Sequence, residues 1–291
     1  MLNKHELLNH KFHNWLHTAS LLLAMLIIFT SLGYLLAGTQ GLIWAITLGL
    51  FLILFSRQAP ANLMMRLFRG QPIAPHQAPD LYQRLYTLSK RAQLKTPPQL
   101  YYINSPTLNA FAVGTRQQPA IGITAGLLRH LNAREINAIL AHEISHISSN
   151  DLQVLGLANT MSRTTQILST VGQILLFLNL PLLLTGRVAF PWLLIITLLV
   201  APTIMTLLQL ALTRTREYDA DLSATRLTND PHALITALQR LEAHGRPFWH
   251  RIFPLPTTPT LFRTHPHTNA RIARLRSLYH NPTPTSNILW A

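Results

Sequence analysis

Residues 142–146 read His-Glu-Ile-Ser-His, and they follow Asn132 and Glu135, which have the spacing of a helix-capping box. A capping box predicts a helix that begins at Asn132, and the apolar residues beyond it continue the helix through Ile147. Histidines four positions apart lie on one face of a helix, one turn apart, so both imidazoles can bind a single ion. Glu143 is offset around the helix, where its carboxylate can act on water instead of binding the metal. Two ligands and one general base are what zinc-dependent hydrolysis requires.

The alternative interpretation of this pattern is a His-rich helical face without a metal. The chain has 14 His but only 10 Asp and Glu together. Random placement of such a composition would give the pattern about 0.01 times per chain. The spacing therefore favours a zinc centre.

Three acidic residues, Glu217, Asp219 and Asp221, stand close together in a chain that has few acids. On a helix, Glu217 and Asp221 lie on one face, four positions apart. Glu217 can therefore supply a third zinc ligand, while Asp221 can accept the second N–H of a ligand histidine and fix its orientation. The alternative is a solvated acidic face that pairs with Arg214 and Arg216, and we favour that interpretation for Asp219.

Hydrophobic residues are concentrated in segments that carry no charge. They make up 48% of the 291 residues, only 12% are charged, and the mean hydropathy is +0.22. These values exclude a disordered chain and argue against an ordinary water-soluble protein. No Asp, Glu, Lys or Arg occurs in residues 12–56, which predicts two membrane spans at 18–37 and 42–56. A cleaved signal peptide is the alternative for the first span, but its apolar stretch is too long and a second span follows at once.

Two further charge-free segments, residues 164–186 and 188–213, are separated by Arg187. Both are long enough to cross a bilayer, although Gln, Asn and Pro residues interrupt them. We predict that they insert into the membrane, which gives about four hydrophobic helices in all. A hairpin partly buried against protein, or a pair of buried core helices, is the alternative.

Membrane topology explains much of the positive charge. The chain has 24 Lys and Arg against 10 Asp and Glu, a formal net charge of +14. Lys4 and Lys11 precede the first hydrophobic pair and Arg57, Arg66 and Arg69 follow it, so both ends of this hairpin are expected in the cytoplasm. No phosphate-binding loop or aromatic-interleaved basic motif is present, so no nucleic acid partner is predicted. The absence of Cys excludes disulfides and a Cys nucleophile.

The polar segments predict an α+β fold that is mainly helical. Helices are expected at 80–92, 132–147, 230–243 and 268–279, and strands at 100–103, 109–114 and 120–124. The expected organisation is an N-terminal transmembrane hairpin (1–56), a first catalytic part (57–163), a second hydrophobic hairpin (164–213) and a second catalytic part (214–291). One ion can bind ligands from both catalytic parts only if the second hairpin crosses the membrane an even number of times or never. Two crossings would place the metal close to the bilayer surface.

Four motifs, taken in order, resemble those of one family. Besides residues 142–146 and the Glu217-x-x-x-Asp221 pair, the chain contains Asn-Ala-Phe-Ala-Val-Gly at 109–114 and Thr-His-Pro at 264–266, followed by Arg271. Together with the charge-free segments, they resemble the M48 zinc metallopeptidases and, within them, the HtpX-type membrane proteases. The resemblance covers most of the chain from Asn109 to Arg271. It implies a membrane-anchored, gluzincin-like metalloprotease domain.

The resemblance also implies which residues perform the reaction. His142, His146 and Glu217 would bind one Zn²⁺ per chain, with Glu143 as the catalytic base. His265 and Arg271 would lie across the cleft and stabilise the oxyanion of the tetrahedral intermediate.

The resemblance also implies a substrate site at the motif of residues 109–114. Asn109, Ala110 and Phe111 would bind the substrate backbone as an added β-strand. An ordinary edge strand without a substrate role is the alternative.

The biological setting follows from the resemblance alone. It implies a multi-pass protein of the bacterial inner membrane, with the catalytic domain facing the cytoplasm. The partners would be the lipid bilayer and polypeptide substrates, namely misfolded or damaged membrane proteins removed by quality control under stress. Two other functions stay open: a prenyl-protein-processing peptidase of the same family, and a membrane scaffold that binds metal without catalysis. Glu143 argues against the scaffold, because a purely structural zinc site has no use for that carboxylate.

Overall fold

The computed structural model describes residues 4–55, 60–185, 191–244 and 268–280. Within these ranges the chain divides into two compact units. One, which we call the apolar unit, draws on Met1–Gln58 and Gln153–Thr215, and the other, which we call the sheet unit, draws on Ala59–Leu152 and Arg216–Ala291. Each unit is therefore built from two separate segments of the chain.

Helices account for most of the described residues, as the sequence predicts. In chain order they are α1 (Lys4–Phe55), α2 (Ala61–Leu67), α3 (Pro79–Arg91), α4 (Ala125–His130), α5 (Ala133–Ser148), α6 (Asp151–Leu178), α7 (Leu180–Leu184), α8 (Trp192–Thr228), α9 (Pro231–His244) and α10 (Thr268–His280). Helices α3, α5, α9 and α10 begin within one residue of the starts that the sequence predicts. Local capping signals are therefore sufficient to locate the helices of the sheet unit that begin with them.

The sheet unit contains one mixed sheet of four strands. They are β1 (Gln71–Pro72), β2 (Gln99–Ile103), β3 (Ala110–Gly114) and β4 (Pro119–Thr124), in the spatial order β1-β2-β4-β3. Strands β2 and β4 are parallel, whereas β1 with β2 and β3 with β4 are antiparallel. All six residues of β4 are buried, as expected for a central strand. Strand β3 lies at one edge of the sheet, and the two-residue strand β1 at the other has no signal in the sequence.

Helix α5 is buried around its whole circumference over residues 138–147. It begins with the predicted capping box: the Asn132 side chain accepts the backbone N–H of Glu135, and the Glu135 carboxylate accepts the backbone N–H of Asn132. Apolar side chains of α5 share one core with β2, β4, α3, α9 and α10. Each fully buried Ile or Leu in such a core contributes roughly 1.5–3 kcal/mol. The helix that carries both histidines is therefore held on all sides.

In the apolar unit, α1 is a hairpin of two arms. The backbone leaves the helical conformation at Ala37 and Gly38, where Gly38 has a φ of +60°, a conformation that glycine adopts without steric cost. The arms then approach closely, because a Cβ on Gly33 would lie 2.7 Å from both the carbonyl oxygen of Gly41 and the Cβ of Ala45. This arrangement agrees with two apolar segments joined by a turn.

A proline in α8 leaves one carbonyl group without its usual helical donor. Pro202 has no N–H to offer the carbonyl of Leu198, four residues earlier. Side chains of α6 supply the donors, because Oγ of Ser169 and Nε2 of Gln173 each lie 2.9 Å from the Leu198 oxygen. An unsatisfied carbonyl costs several kcal/mol in an apolar surrounding. The polar residues that interrupt the third hydrophobic segment therefore have a structural purpose.

The outer face of the apolar unit exposes large hydrophobic side chains. Trp44, Phe177 and Leu193 are 71%, 74% and 67% exposed. By length and composition, two helices of the described chain could cross a membrane, Trp15–Phe51 and Trp192–Thr228. The first of them includes both arms of α1, and α6 does not meet the same criterion. The number of four membrane-spanning helices therefore stays a prediction.

Candidate metal centre

Three potential metal ligands meet at one point of the sheet unit. His142 and His146 lie on α5, and Glu217 lies in the C-terminal part of α8. Their nitrogen and carboxylate oxygen atoms all lie within 4.8 Å of one another, and the three residues are 2%, 6% and 2% exposed. The structure thus brings together the three side chains that the sequence singles out, although a long hydrophobic segment separates the histidines from the glutamate.

The distances among these atoms fit a small cation. Nε2 of His142 is 3.1 Å from Nε2 of His146 and 3.4 Å from Oε2 of Glu217, and Nε2 of His146 is 3.6 Å from Oε1 of Glu217. Ligand atoms bonded to a tetrahedral Zn²⁺ at its usual bond lengths are about 3.3 Å apart. The separation of the two Nε2 atoms and the distance from each to its nearer Glu217 oxygen are therefore close to the spacing that zinc requires.

A carboxylate orients the imidazole of His142. Oδ1 of Asp221, one turn after Glu217 on α8, is 3.1 Å from Nδ1 of His142. Because a carboxylate only accepts hydrogen bonds, Nδ1 carries the proton and Nε2 presents its lone pair to the ligand cluster. Asp221 thus occupies the place that the sequence analysis predicts, and the arrangement is typical of histidines that bind metals.

The imidazole of His146 has a carboxylate partner that the sequence analysis missed. Oδ2 of Asp151 is 2.9 Å from Nδ1 of His146, and Asp151 is 0% exposed. Asp151 begins α6, immediately after a turn in which Asn150 adopts a left-handed φ of +58°. This sharp turn returns the chain towards the end of α5, so that the carboxylate reaches the ring. The available signal was an acidic residue five positions after the second histidine, in a chain with only 10 acids.

One buried and one partly buried arginine neutralise these orienting carboxylates. Arg271 of α10 donates to both carboxylate oxygens of Asp221, at 2.7 and 2.5 Å, and its Nη1 is 3.0 Å from Oε2 of Glu217. Nη1 of Arg216 is 3.3 Å from Oδ1 of Asp151. The side chains of Arg271 and Arg216 are 3% and 12% exposed. Each histidine–carboxylate pair is therefore accompanied by one guanidinium group.

In the structure both arginines face buried carboxylates. The family resemblance places Arg271 across the cleft as an oxyanion donor, but its Nε, Nη1 and Nη2 atoms are all directed at buried carboxylates. Arg216 is expected on a solvated acidic face, yet it is largely buried against Asp151. The physical reason is the same in each case, because a buried carboxylate needs a counter-charge and hydrogen-bond donors to offset its lost hydration.

The electrostatics of the cluster favour a bound cation. Beside the two guanidinium groups lie four buried carboxylates, those of Glu143, Asp151, Glu217 and Asp221. Burial lowers the pKa of His146, but its hydrogen bonds to Asp151 and Glu217 raise that pKa well above its usual value. Burial also lowers the pKa of His142, but its hydrogen bonds to Asp221 and Glu217 raise that pKa above its usual value. Four carboxylates against two guanidinium groups leave an excess of negative charge, which the raised pKa values of the two histidines reflect and which a divalent ion would offset.

Of the remaining predicted catalytic residues, Glu143 lies within the described chain. It is adjacent to His142 on α5 and 5% exposed. Burial lowers the pKa of Arg271, while the charges of Asp221, Glu217 and Glu143 together raise it above its usual value; the Glu143 carboxylate is therefore near the cluster. His265 lies outside the described residues, so its oxyanion role stays a prediction.

The predicted substrate residues Asn109, Ala110 and Phe111 lie at the start of the edge strand β3. The backbone N–H of Asn109 donates to Oγ1 of Thr124 at 3.0 Å, and its carbonyl accepts the N–H of Thr124 at 3.1 Å. Ala110 belongs to the core shared with α5, whereas the Phe111 ring packs on Phe68 with centroids 4.8 Å apart. The side chains of β3 thus take part in packing. In the described chain β3 pairs with β4 alone, so its outer backbone edge is what it can offer to a peptide.

Comparisons with known proteins agree with this geometry. A family model described as Peptidase family M48 matches residues 75–279. A protein of Nostoc punctiforme named Protease HtpX homolog is 32% identical over 284 residues, which cover 91% of this chain and 96% of that protein. A protein of the same name from Burkholderia ambifaria is 31% identical over 287 residues, which cover 91% and 97% of the two chains.

One solved structure shows a more distant likeness. The crystal structure of S. mikatae Ste24p aligns with a TM-score of 0.42 and 20% sequence identity. The alignment covers 88% of this chain and 62% of that one. This chain therefore spans less than two thirds of the length of that protein.

Proposed function

The chain belongs to peptidase family M48, and on that basis we propose that it is a zinc-dependent endopeptidase anchored in a membrane. The family establishes proteolysis as the class of activity. The choice of zinc, the attack on internal peptide bonds, the roles of individual residues and the cellular setting are inferred from the site and the sequence.

One observation carries the proposal: three lone pairs converge in a buried space. Both Nδ1 atoms face carboxylates, so both Nε2 atoms of His142 and His146 point their lone pairs towards the carboxylate of Glu217. Neutral imidazoles placed in this way repel the carboxylate, so the site favours positive charge there, either protons on the rings, as their raised pKa values indicate, or a metal cation. Two imidazoles and one carboxylate at this spacing form a ligand set that zinc uses in hydrolytic enzymes.

The predicted catalytic residues then divide the work of peptide hydrolysis. Zinc, when bound, lowers the pKa of water towards neutrality and polarises the scissile carbonyl. Glu143 accepts a proton from the attacking water on its carboxylate and returns it to the leaving amine nitrogen. His265 donates a hydrogen bond to the developing oxyanion, a contribution worth about 3–4 kcal/mol in comparable sites.

Arg271 is assigned a positioning role in place of an oxyanion role. Its guanidinium holds both oxygens of Asp221 and one oxygen of Glu217. In this position it fixes the third ligand and the carboxylate that orients His142 at the same time. A buried guanidinium so engaged keeps the donor set in place without touching the substrate.

A polypeptide substrate would bind along the free edge of β3. Main-chain hydrogen bonds from an added strand provide affinity without demanding a particular sequence. This mode suits a protease that acts on misfolded chains, because such substrates share a backbone but no common sequence. Because the backbone N–H and carbonyl of Asn109 already bond to Thr124, the strand that follows it, beginning with Ala110 and Phe111, would contribute the backbone groups to this edge.

The proposed setting is the bacterial inner membrane, with about four hydrophobic segments and the catalytic parts in the cytoplasm. The exposed apolar side chains of the apolar unit and the cations around residues 12–56 support it. Quality control of misfolded or damaged membrane proteins, as part of a stress response, follows from the resemblance to HtpX-type proteases. A reporter enzyme fused after Ser89 should be active in the cytoplasm, and export of that reporter would contradict the orientation.

Cleavage by the purified chain tests the proposed reaction. The protein is purified in detergent with a chelator, then mixed with an unfolded membrane protein with and without added zinc. Fragments should appear only with zinc, and Glu143→Gln should bind zinc to the same level without producing fragments. Zinc binding without any cleavage by the parent chain would favour the metal-binding scaffold instead. Faster cleavage of a prenylated peptide than of the unfolded protein would favour the prenyl-processing function.

A further inference from the structure

We propose that Asp151 and Arg216 form a positioning pair for His146, equivalent to the pair that Asp221 and Arg271 form for His142. The inference rests on the proposed zinc site and adds to it two residues that no motif singles out. Asp151 and Arg216 would touch neither substrate nor metal. They would act through the imidazole of His146.

Asp151 is in direct contact with the ligand histidine His146. Its Oδ2 lies 2.9 Å from Nδ1 of His146, a closer approach than the 3.1 Å between Oδ1 of Asp221 and Nδ1 of His142. A charge-assisted hydrogen bond at this distance fixes both the tautomer and the rotation of the ring. The Nε2 atom is thereby aimed at the ligand cluster before any metal arrives, and a metal that binds there takes the place of a proton.

Asp151 is itself held in place by an ion pair with Arg216. A carboxylate with 0% exposure needs a partner for its other oxygen, and Nη1 of Arg216 lies 3.3 Å from Oδ1. This contact is an ion pair without a hydrogen bond to Oδ1, so the Arg216 guanidinium holds that oxygen by charge and Oδ2 is left for the imidazole. Without Arg216, the carboxylate is free to rotate and the orientation of His146 is less well defined.

The position of Arg216 in the chain links this ion pair to the third metal ligand. Arg216 immediately precedes Glu217 on α8, so one turn of this helix supplies both the third ligand and the cation that secures Asp151. Residues adjacent on a helix point about 100° apart, which allows Glu217 to face the ligand cluster while Arg216 reaches the start of α6. The α5–α6 turn is thereby fastened to α8 by an ion pair beside the metal ligands.

The predicted consequence is a loss of zinc affinity in Asp151→Asn. Substitution of residues that orient metal ligands typically lowers affinity about 10–100-fold. Zinc affinity is measured by competition with a chromogenic chelator on the full-length protein in detergent. The visible spectrum of the Co²⁺-loaded protein should also change, because it reports the geometry around the ion. Asp230→Asn is the matched control, since Asp230 pairs with the exposed Arg134 away from this cluster.

Arg216 provides an independent arm of the test. Arg216→Gln should also weaken zinc binding, Arg216→Lys should restore part of it, and Asp151→Asn combined with Arg216→Gln should be no weaker than Asp151→Asn alone. This non-additivity is expected only if Arg216 acts through Asp151. If Asp151→Asn does not fold, as judged by circular dichroism, the two Arg216 variants carry the test, because that side chain lies nearer the surface.

The outcomes separate this inference from the proposed function. If the parent chain binds no zinc, the proposed function fails. If the parent binds zinc and cleaves substrate, but Asp151→Asn and Arg216→Gln match Asp230→Asn in affinity and in the Co²⁺ spectrum, the positioning pair alone is wrong. Strictly additive losses in the double variant would likewise overturn the link between the two residues.

Discussion

The apolar unit and the sheet unit both have an apolar core, but they differ in what they expose and in the polar groups that they bury. In the apolar unit Phe177 and Leu193 are exposed, while the hydroxyl of Ser169 is buried and donates to a carbonyl. In the sheet unit the apolar residues form a conventional core, and next to it lies a cluster of buried charges that includes Asp151 and Arg271. The exterior of the first unit thus suits lipid, and the interior of the second suits an ion.

The same rule governs both interiors, but the two units satisfy it with different groups. A polar group away from water must find a partner. In the apolar unit one neutral carbonyl, that of Leu198, is satisfied by two neutral side-chain donors. In the sheet unit the groups carry full charges, and the guanidinium groups of Arg216 and Arg271 stand opposite the carboxylates. Substitutions in the sheet unit should therefore have larger effects than comparable ones in the apolar unit.

The largest effect is expected from His142→Ala, which removes one of two imidazole ligands. Zinc content should fall from stoichiometric to undetectable, and the rise in the midpoint of thermal unfolding on adding zinc should disappear. Elemental analysis and thermal scans with and without zinc measure both quantities. His76→Ala is the control, since His76 is exposed in the short 3₁₀ turn Pro75–Gln77. Equal zinc content in the two variants would show that His142 is not a zinc ligand.

Next in size is the cost of breaking a buried ion pair. Arg271→Met should destabilise the chelator-treated protein by about 3–5 kcal/mol, because Asp221 and Glu217 would lose a buried counter-charge. Arg134→Met should cost at most about 1 kcal/mol, because the Arg134 side chain is 74% exposed in its pair with Asp230. Denaturant unfolding in detergent, monitored by circular dichroism, gives both values. Similar losses of unfolding free energy in the two variants would mean that the burial of the Arg271 ion pairs does not increase their contribution to stability.

A smaller effect is expected in the apolar unit. Ser169→Ala removes one of the two donors to the Leu198 carbonyl and should cost about 0.6–1.7 kcal/mol. Ser20→Ala is the matched control, because the Ser20 hydroxyl is exposed and bonds to the carbonyl of His17 within its own helix. Unfolding of both variants in the same detergent measures the difference. A cost for Ser169→Ala above that of Arg271→Met would reverse the comparison between the units.

The smallest effect is expected for Asp230→Asn, at about 0.2–1 kcal/mol. Burial raises the pKa of Asp230, but the Arg134 guanidinium and the N–H of Ala233 together lower it below its usual value. A lowered pKa in the folded state gives stability that is present above the usual value of 3.8 and is lost as the pH falls through the lowered value. The variant keeps its helix cap, since Asn caps as well as Asp.

Unfolding of the parent chain and Asp230→Asn between about pH 3 and 7 checks the sign. Their difference should be constant at the higher pH and shrink in the acid range. A difference that grows as the pH falls would contradict the assigned direction.

Features with local signals could be predicted from the sequence. Asn132 and Glu135 mark the start of α5 because a capping box involves only neighbouring residues. The histidines of α5 and the acids of α8 could be paired because helical spacing fixes which side chains share a face. The family follows from motifs of this kind together with the order in which they occur.

Features that depend on tertiary contacts could not be predicted in this way. Asp151 reaches His146 only because Asn150 adopts a left-handed conformation, which nothing in the sequence demands. The direction of Arg271 follows from which carboxylates are buried around it, a property of the assembled core. Strand β1 is too short to have a periodic pattern, and it exists because β2 offers it an edge.

X-ray absorption at the zinc edge on the loaded, full-length protein tests the central claim most directly. The claim is that His142, His146 and Glu217 bind the same ion. It predicts two imidazole nitrogens at about 2.0–2.1 Å with the remaining positions filled by oxygen, and Glu217→Ala should alter the oxygen shell while both imidazoles stay. A spectrum with a single imidazole, or one that Glu217→Ala leaves unchanged, would contradict it.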